Sequence, residues 1–456
     1  MIKRLLRRKV AIIMNDIVAK VKAAGVVGAG GAGFPTHVKL EAKADIYIVN
    51  GAECEPMLRT DQQLAAHYPE LLIEGITHAM KATGAKEGII ALKAKYQAAI
   101  KALEPLLPTQ IRIEILRDIY PAGDEVITIW LTTGRRVPPG GIPLHIGVVV
   151  NNVQTLINVA RAMKGEVVTT KTLTVTGAVK SPVTVTVPIG TSMADVLALA
   201  GGVTCDPAAY IDGGPMMGKV VPDLSSPVTK TTGGLIVLPA DHLLIKSKEQ
   251  TVESVLRIAK TVCEQCCYCT ELCPRHIIGH ELPPHLIVRC VNYNSVGNPQ
   301  ILRSALTCSE CGVCEAYSCP VGISPMRVNM ALKKEFRTHN LRYEGELGQA
   351  DPLAEYRLIP SARLVSRLNL QSWYPPAAPL QPALYEPEQV TIPLSQHIGA
   401  PSVPVVKGGD AVNVGQLIAE IPVDALGACI HASITGIVEQ VSLQAITILR
   451  GGAPHD

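Results

Sequence analysis

Two hydrophobic periodicities alternate along residues 15–165. Short apolar runs, typical of buried strands, are followed by stripes of apolar residues with helical spacing, and this order repeats several times. The pattern predicts strands at 46–50, 88–92, 111–116 and 147–150, and helices at 15–24, 71–81, 95–106, 124–133 and 153–163. Such alternation is typical of an α/β domain with a mainly parallel sheet, which we predict for this segment.

The rest of the pattern divides the chain further. Strict alternation over residues 171–187, interrupted at Gly177, predicts a β-hairpin, and a short helix is predicted at 193–200. Helical spacing returns at 251–261, 282–291 and 326–336. The many prolines of residues 346–388 predict a linker or an extended strap, and short strands are predicted after it. The expected segments are 1–14, 15–165, 166–247, 248–345, 346–388 and 389–456.

The composition excludes some functions. The chain has 456 residues and a formal net charge of +3, so no strong positive field draws it to nucleic acid. Only 2 Phe and 2 Trp are available to stack on bases, which argues against single-stranded nucleic acid as well. No uninterrupted apolar run reaches about 18 residues, so no transmembrane helix is predicted.

The N-terminal extension, residues 1–14, begins with a basic run and continues with only a short apolar patch. It lacks the small-residue cleavage site of a secretory signal, so we expect a reducing, cytoplasmic location. Two interpretations stay open here. Either Met14 is the true start, or residues 1–13 form a short targeting helix.

The 13 cysteines are concentrated in two runs. The runs are Cys263-x2-Cys266-x2-Cys269-x3-Cys273-Pro274 and Cys308-x2-Cys311-x2-Cys314-x4-Cys319-Pro320. The first is the bacterial ferredoxin pattern for [4Fe–4S] clusters, and the second differs by one inserted residue. In two-cluster ferredoxins the fourth cysteine serves the other cluster, so we expect the same exchange here. The predicted ligand sets are Cys263, Cys266, Cys269 and Cys319 for one cluster, and Cys308, Cys311, Cys314 and Cys273 for the other.

The cysteine runs leave two alternatives open. Structural zinc sites are the first, but they usually combine two C-x2-C pairs rather than triplets followed by Cys-Pro. The second is a register that uses Cys267, which interrupts the first run. The spacer 274–307 is too long for the smallest ferredoxin fold, which favours an α-helical ferredoxin-like domain. The remaining cysteines are predicted to be small buried hydrophobic residues: Cys54, Cys205, Cys290 and Cys429.

A glycine-dense loop at residues 28–33 matches G-x-G-x-x-G. The usual dinucleotide fingerprint follows a strand and opens a helix, but here a predicted helix precedes the loop and Phe34-Pro35 follows it. The loop alone therefore does not predict an ordinary Rossmann site. Its backbone N–H groups suit a phosphate, and a tight structural turn is the open alternative.

Four segments together resemble the flavoprotein subunit of respiratory complex I. They are residues 28–36 (GAGGAGFPT), 50–56 (NGAECEP), 120–125 (YPAGDE) and 149–155 (VVNNVQT), in the same order and followed by iron–sulfur cysteines. In that family these segments bind FMN and stack NADH over it. The chain departs from the family pattern where Asp124 and Gln154 each replace a glutamate.

The resemblance implies a residue set for each cofactor in a Rossmann-like domain over residues 15–165. FMN contacts are implied at Gly28, Gly30, Gly31, Gly33, Lys39, Asn50, Asp124, Asn151, Asn152 and Thr155. The nicotinamide nucleotide is implied near Phe34, Glu53, Glu55 and Glu125. The choice of NADH over NADPH rests on the family alone, since no arginine for a 2′-phosphate stands out in the sequence.

Two further segments resemble known modules. Residues 166–247 resemble the soluble-ligand-binding β-grasp domain of the same families, and residues 389–456 resemble the barrel-sandwich fold of biotinyl and lipoyl carriers. Lys407, the only lysine of the second segment, lacks a Met-Lys-Met-like context, so a swinging arm is not expected. The expected fold class is therefore multidomain: α/β, β-grasp, α-helical ferredoxin-like and an all-β barrel-sandwich hybrid.

The order of the modules separates two related families. The C subunit of the Rnf membrane electron-transfer complex resembles the whole chain, but its barrel-sandwich segment is N-terminal. Here the two signatures of that segment, His397-Ile-Gly-Ala-Pro401 and His431-Ala-Ser-Ile-Thr-Gly436, lie near the C-terminus. This order resembles the family of cobalamin reductases of propanediol-utilising bacterial microcompartments, over residues 15–456.

The resemblance implies an NADH-dependent flavo-iron–sulfur reductase. Electrons would pass from NADH by way of FMN and two [4Fe–4S] clusters to cobalamin, giving cob(I)alamin for coenzyme B12 recycling. It also implies a cytoplasmic microcompartment location, with an adenosyltransferase and shell proteins as partners, and homo-oligomers are the general expectation. Two rivals stay open: an Rnf-like subunit that reduces a membrane partner or ferredoxin, and a non-catalytic Fe–S scaffold of a microcompartment.

Overall fold

The structure, a computed structural model, describes residues 15–293 and 298–451. The two interpretations of the N-terminal extension fall on residues 1–14 and so lie outside the described residues. Within the described ranges, no helix combines the length and the apolar character needed to cross a membrane.

The first region alternates helices and strands, as the sequence pattern predicts. Its first helix, α1, covers residues 15–23. The following elements are α2 (Thr36–Glu41), β1 (Ile46–Gly51), α3 (Thr60–His67), α4 (Pro69–Thr83), β2 (Glu87–Lys93), α5 (Gln97–Leu103), β3 (Ile111–Leu116), β4 (Ile119–Tyr120), α6 (Glu125–Thr133), β5 (Val148–Asn152) and α7 (Val153–Met163). The predicted mainly parallel sheet is confirmed, because β3, β2, β1 and β5 lie side by side in that order and every neighbouring pair is parallel.

Helices cover both faces of this parallel sheet, which explains its continuous apolar runs. On one face α4 buries Leu72 and Ile76 and lies against α7. The two helices approach closely at Gly75, where a β-carbon would lie 2.0 Å from the carbonyl oxygen of Leu156. On the other face α6 buries Ile127 against the sheet. The sheet is thereby fixed as a rigid support for the loops at its edge.

The middle region forms a second, mixed sheet. Its elements are β6 (Thr170–Gly177), β7 (Val183–Pro188), α8 (Met193–Leu199), β8 (Ala208–Asp212), β9 (Lys219–Val221), β10 (Gly234–Pro239) and α9 (Leu243–Lys248). The strand order is β7-β6-β10-β8-β9, and β6 and β10 are parallel whereas the other pairs are antiparallel. The predicted hairpin is the β6–β7 pair, and the predicted helix is α8.

The third region is helical, as its apolar spacing predicts. It contains α10 (Val252–Val262), α11 (Tyr268–Glu271), α12 (Pro274–Ile277), α13 (Pro284–Tyr293), α14 (Pro299–Arg303), a π-helical turn (Cys314–Ser318) and α15 (Pro325–Thr338). Thr251 caps α10 by accepting a 3.2 Å hydrogen bond from the backbone of Ser254. The three long helices pack their apolar faces together around Val255, Ile287 and Val328.

The proline-rich segment is more structured than the expected linker or strap. It contains α16 (Ala354–Arg357), β11 (Ile359–Pro360) and α17 (Ser361–Arg367). Strand β11 pairs with β4 of the first region, and α17 buries Leu364 and Val365. The segment therefore fastens the helical region to the parallel-sheet region. Proline content predicted its extended parts but not this long-range pairing.

The C-terminal region consists of two small antiparallel sheets. Its strands are β12 (Gln389–Pro393), β13 (Val403–Pro404), β14 (Ala411–Val412), β15 (Leu417–Glu420), β16 (Ile430–His431), β17 (Gly436–Val441) and β18 (Ala445–Arg450). The sheet orders are β12-β18-β17-β14 and β13-β15-β16. Apolar side chains such as Ile392 and Ile448 point inward and join one continuous hydrophobic cluster with Ile17 and Val21 of α1. The C-terminal region thus packs beside the start of the chain.

Candidate functional site

The four resemblance segments meet at one edge of the parallel sheet. Strand β1 has β2 on one side and β5 on the other, so the strand order reverses between β1 and β5. Open α/β sheets bind ligands at such a switch point, outside the carboxyl ends of the strands. Those ends are Gly51 of β1 and Asn152 of β5. We call the space beside them the switch-point crevice.

The glycine loop forms one wall of this crevice, between α1 and α2. The N–H of Gly28 donates to the carbonyl of Phe34 at 3.0 Å, which closes the loop. The N–H of Ala29 donates to Thr155 Oγ1 at 2.9 Å, which fixes the loop to the start of α7. Gly30 and Gly31 are exposed at its tip. Two of the four segments are therefore joined directly.

The loop fits a flavin phosphate group because its glycines leave room that a side chain would fill. A β-carbon on Gly30 would lie 2.8 Å from Asn152 Nδ2, whereas one on Gly31 would meet no atom within 4 Å. Beside it, the Oδ1 atom of Asn151 is buried and has no hydrogen-bond partner among the described residues. Open space, glycine backbone and an unsatisfied amide together suit a polar ligand.

Lys39 and Asn50 connect the remaining segments. Lys39 Nζ donates to Glu125 Oε1 and to the carbonyl of Val150, both at 2.9 Å. Asn50 Nδ2 donates to the carbonyl of Gly123 at 2.8 Å. The structure thus brings together Lys39 and Val150, which are 111 positions apart in the chain, and Asn50 and Gly123, which are 73 positions apart.

Asp124 has two roles at the start of α6. Its Oδ1 accepts from the backbone of Val126 and Ile127 at 3.1 Å, so it caps the helix. Its Oδ2 lies 2.9 Å from Arg275 Nη2 in a largely buried ion pair. The glutamate expected from the family pattern has one more methylene group, so the shorter aspartate suits the cap. Arg275 itself was not singled out from the sequence.

Glu53 lies at the mouth of the crevice, in a left-handed conformation with φ of 25°. Its carboxylate accepts from the backbone of Asp61 at 3.0 Å and from Gln62 Nε2 at 3.3 Å. Asp61 in turn accepts from Asn152 Nδ2 at 2.7 Å. Burial raises the pKa of both carboxyls, and the proximity of the two raises the pKa of Glu53 further.

Glu55 serves a different surface. Its two oxygens accept from the backbone N–H groups of Met216 and Met217 at 2.9 and 2.7 Å, in the turn between β8 and β9. Burial raises the pKa of Glu55, although these two hydrogen bonds oppose the shift. Glu55 therefore holds the middle region against the second segment. Phe34 is half-buried beside the glycine loop.

Lys171 supports the loop from β6 and was missed by the sequence reasoning. It is 2% exposed, and its Nζ donates to the carbonyl of Ala29 at 2.7 Å. Burial lowers the pKa of Lys171 to about 8, while the Asp61 carboxylate acts in the opposite direction. A lysine at the start of the alternating run 171–187 is the sequence signal that could have identified it.

The C-terminal region braces the same loop from behind. Gly33 has φ of 75°, and a β-carbon there would lie 2.9 Å from the carbonyl oxygen of Gln396. The N–H of Ile398 donates to the carbonyl of Gly33 at 3.2 Å. Nearby, buried Lys230 donates to the carbonyls of Gly25 and Cys429, both at 2.7 Å. Burial lowers the pKa of Lys230 to about 7.

The structure gathers one predicted ligand set around a cavity of about 300 Å³, counting its open mouth. We call it the inner thiol site. Three of its four thiols are buried and the fourth is half-buried. Burial first, and the neighbouring thiols after it, raise the pKa of Cys311 and of Cys314. The thiols are Cys273, Cys308, Cys311 and Cys314.

The other predicted set lines a larger cavity of about 470 Å³, again counting its mouth. We call it the outer thiol site. Cys266 is exposed, Cys319 is buried, and the other two are half-buried. Burial, followed by the three neighbouring thiols, raises the pKa of Cys269 to about 12. The thiols are Cys263, Cys266, Cys269 and Cys319.

The thiols of each predicted set line one cavity together. Within 15–293 and 298–451, no group of three or more His, Cys, Asp or Glu side chains is close enough to hold a metal ion. Crowded thiols with raised pKa values need neighbouring positive charge to ionise, which iron supplies.

The other cysteines differ in position. Cys267 lies at the rim of the outer cavity, where its Sγ is 3.3 Å from the carbonyl oxygen of Gln265. The four cysteines predicted to be buried are only half-buried: Cys54, Cys205, Cys290 and Cys429.

Comparison with protein-family models identifies four matching segments. Residues 21–161 match the Nuo51 FMN-binding domain, and residues 172–220 match the SLBB domain. Residues 262–324 match a 4Fe-4S dicluster domain, and residues 378–451 match the RnfC barrel sandwich hybrid domain. Domains of these four types are therefore present in the chain.

Comparison with curated proteins gives relatives over nearly the full length. Cobalamin reductase PduS of Citrobacter freundii is 59% identical over 433 residues, which cover 95% of this chain and 96% of the relative. Cobalamin reductase PduS of Salmonella typhimurium is 58% identical over 444 residues, which cover 97% and 98%. The C subunit of the Na⁺-translocating ferredoxin:NAD⁺ oxidoreductase complex of Acetobacterium woodii is 38% identical over 262 residues, 56% of each chain.

Proposed function

The chain belongs to the family of cobalamin reductases named PduS, and on that premise we propose that it transfers electrons from NADH to cobalamin. The reaction is an oxidoreduction that ends at cob(I)alamin and uses FMN and two [4Fe–4S] clusters. The observation that supports it best is that one chain joins a flavin-type crevice to two four-thiol cavities.

The switch-point crevice would hold FMN. Bound FMN accepts a hydride with its two electrons and releases the electrons singly, which iron–sulfur clusters require. The residues proposed to contact it are Gly28, Gly30, Gly31, Gly33, Lys39, Asn50, Asp124, Asn151, Asn152 and Thr155. Open space at Gly31 and the unsatisfied amide oxygen of Asn151 support this assignment. Lys171 and the C-terminal segment near Gln396 support the glycine loop, but they would not touch FMN.

NADH would approach the crevice from the side of Glu53. The proposed contacts are Phe34, Glu53, Glu55 and Glu125. Glu53 is the strongest of them, because it lies at the mouth of the crevice, where it accepts from the backbone of Asp61. Glu55 acts less directly, since its carboxylate is held by the backbone of Met216 and Met217 in the middle region.

The two thiol sites would each hold one cluster. Thiolates are the ligands of iron–sulfur clusters, and the exchanged fourth cysteines agree with the two-cluster ferredoxin pattern. The protein's part is to hold these thiols in place and to bury the inner site from water. Cobalamin would receive electrons at the surface of the protein. The product, cob(I)alamin, would serve an adenosyltransferase inside a microcompartment, with shell proteins as further partners. The reductase itself would be a homo-oligomer.

Anaerobic NADH oxidation with aquacobalamin and with a ferredoxin, measured side by side on reconstituted protein, tests this function. We expect NADH to bleach the flavin and aquacobalamin to be reduced faster than ferredoxin. Faster ferredoxin reduction favours the Rnf-like rival, and a purified protein that retains no FMN favours the scaffold.

A glycine variant makes the test specific to the crevice. Gly31→Val adds a side chain to open space, so the fold and about eight irons per chain should remain while FMN is lost. Gly408→Val is the matched control, because a β-carbon there meets only an ordinary 3.5 Å contact on the C-terminal region. FMN retained by Gly31→Val at the wild-type level contradicts the proposed crevice.

A further inference from the structure

The inner thiol site is joined to the switch-point crevice by a buried tyrosine. Tyr120 opens the third resemblance segment, which ends at Asp124 and Glu125 in the crevice. Its hydroxyl donates to the carbonyl of Cys311 at 2.6 Å, and its side chain is only 1% exposed. A single short segment therefore touches both the crevice and an inner-site thiol residue.

A buried arginine makes a second connection. Arg275 follows Cys273 by two residues and forms the 2.9 Å ion pair with Asp124. The side chains of this pair are 11% and 13% exposed. The Nε and Nη1 atoms of Arg275 are buried and have no hydrogen-bond partner in the described part of the chain.

The second resemblance segment makes a third connection through Met216. Glu55 accepts from the backbone of Met216 at 2.9 Å. The Cε atom of Met216 lies 3.4 Å from where a β-carbon on Gly312 would stand, and Gly312 follows Cys311. The contacts of Tyr120 and Arg275 thus place the inner site against the crevice, and the contact of Met216 connects it to the second resemblance segment.

The outer thiol site faces solvent instead. Cys266 is exposed, and so is Val321, which lines the cavity and is 44% exposed. Tyr268, between Cys267 and Cys269 in the chain, is 52% exposed. The two sites are neighbours, because α11, which contains Cys269, packs against the π-helical turn that begins at Cys314.

We propose that the two thiol sites act in a fixed order, in which the inner site takes electrons from the crevice and the outer site delivers them at the surface. This order rests on the proposed function. Each NADH that is oxidised to NAD⁺ and H⁺ supplies two electrons, which move one at a time. Each electron taken up at the inner site would pass to the outer site, which would in turn give it to the acceptor. No bond at a thiol is made or broken.

Variants that lose one cluster each test the order by a spectroscopic readout. Cys314→Ala removes an inner ligand and Cys269→Ala removes an outer ligand, so each protein should hold about four irons. Freeze-quenched EPR after mixing with NADH reports on the remaining cluster, and dithionite gives its full amplitude. Cys290→Ala, outside both sites, is the control.

The expected results are asymmetric. In Cys269→Ala the inner cluster is reduced by NADH at close to the wild-type rate. In Cys314→Ala the outer cluster is reduced by dithionite, but its reduction by NADH slows at least tenfold. Equal rates in the two variants, or the reverse asymmetry, overturn the order. If NADH reduces neither cluster in the wild-type protein while dithionite reduces both, the proposed function itself fails.

A second pair of variants keeps both clusters. It tests the order of the two sites even if a variant that lacks a cluster ligand does not fold. Arg275→Gln breaks the ion pair to Asp124, and we expect about a tenfold slower reduction of the inner cluster by NADH because the connection loses its alignment. Arg367→Gln is the matched control, since Arg367 donates to the carbonyl of Cys319 at the outer site. Equal slowing of inner-cluster reduction in both variants contradicts the order.

Discussion

The inner and outer thiol sites each contain four thiol groups, but in very different surroundings. The inner site has three buried thiols and touches the crevice through Tyr120 and Arg275. The outer site has an exposed thiol, Cys266, and its cavity is lined by an exposed valine, Val321. The spacing of the cysteines predicts what can be bound, whereas the surroundings separate the two sites, because one adjoins the crevice and the other adjoins solvent.

The two cysteine runs also differ in backbone, and the structure explains their unequal spacing. After the first triplet, a short α-helical turn, α11, leads from Cys269 toward Cys273. After the second, the chain from Cys314 to Ser318 forms a π-helical turn, which accommodates one additional residue. Cys319 therefore reaches the outer cavity in spite of the insertion, and the exchange of fourth cysteines is the same in both directions.

The largest effect is expected from removing a fourth cysteine, which lies in one run but lines the site of the other. Cys273→Ser should remove the cluster whose triplet is 308, 311 and 314, although residue 273 belongs to the other run. Iron should fall from about eight to about four per chain, because one of two four-iron clusters is lost. Iron analysis and EPR of the remaining cluster measure the result.

Cys267→Ser serves as the control for the exchange, since this thiol lies at the rim and its sulfur is close to a backbone carbonyl. It should leave the iron content unchanged. Loss of iron from Cys267→Ser together with full iron in Cys273→Ser would support the alternative register.

The thiol sets and the four crevice segments could be predicted because their signals are local in sequence. Cysteines three residues apart, and short segments such as 28–36, retain the same relation in many folds. The π-helical turn was not predicted, because an inserted residue can be accommodated by several backbone conformations. Val313 and Cys314, at the start of this turn, are buried, so its conformation depends on packing in the interior.

Contacts between distant segments could not be predicted. Lys171 reaches the carbonyl of Ala29 across 142 positions, and Arg275 reaches Asp124 across 151. Nothing in a single sequence pairs such residues, since tertiary packing decides which side chains meet. The pairing of β11 with β4 is invisible for the same reason, because each strand has only two residues.

An intermediate effect is expected from an ion pair on the inner side. Asp118 lies 3.0 Å from Lys93, which is almost fully buried, and 2.8 Å from Lys95, just before the β4 strand that contains Tyr120. Asp118→Asn leaves a buried lysine charge without its partner, which typically costs about 3–5 kcal/mol. We expect denaturant unfolding at pH 7 to show this loss, with the inner cluster released before the outer one.

The pH dependence of the same variant gives a further check. Burial opposes ionisation of Asp118, but Lys93 and Lys95 outweigh it and lower its pKa to about 2. Because the folded pKa is depressed, its stabilisation is present above the unfolded value of about 3.9 and is lost as the pH falls toward 2. The difference between variant and wild type should therefore be constant from about pH 5 to 8. Glu87→Gln, in an exposed pair with Arg112, should cost less than about 1 kcal/mol.

The smallest effect is expected from removing one hydroxyl group at the inner site. Tyr120→Phe keeps the ring but leaves the carbonyl of Cys311 without its 2.6 Å donor, which costs about 1–3 kcal/mol when the acceptor is buried. The same change alters the polarity beside an inner ligand, so the midpoint potential of the inner cluster should shift while that of the outer cluster stays constant. Tyr268→Phe, at an exposed tyrosine between Cys267 and Cys269 in the chain, is the matched control and should change stability by less than about 0.5 kcal/mol. If the midpoint potentials of the inner and outer clusters shift equally in Tyr120→Phe, the two sites share one environment. That result would contradict the difference between them that the structure indicates.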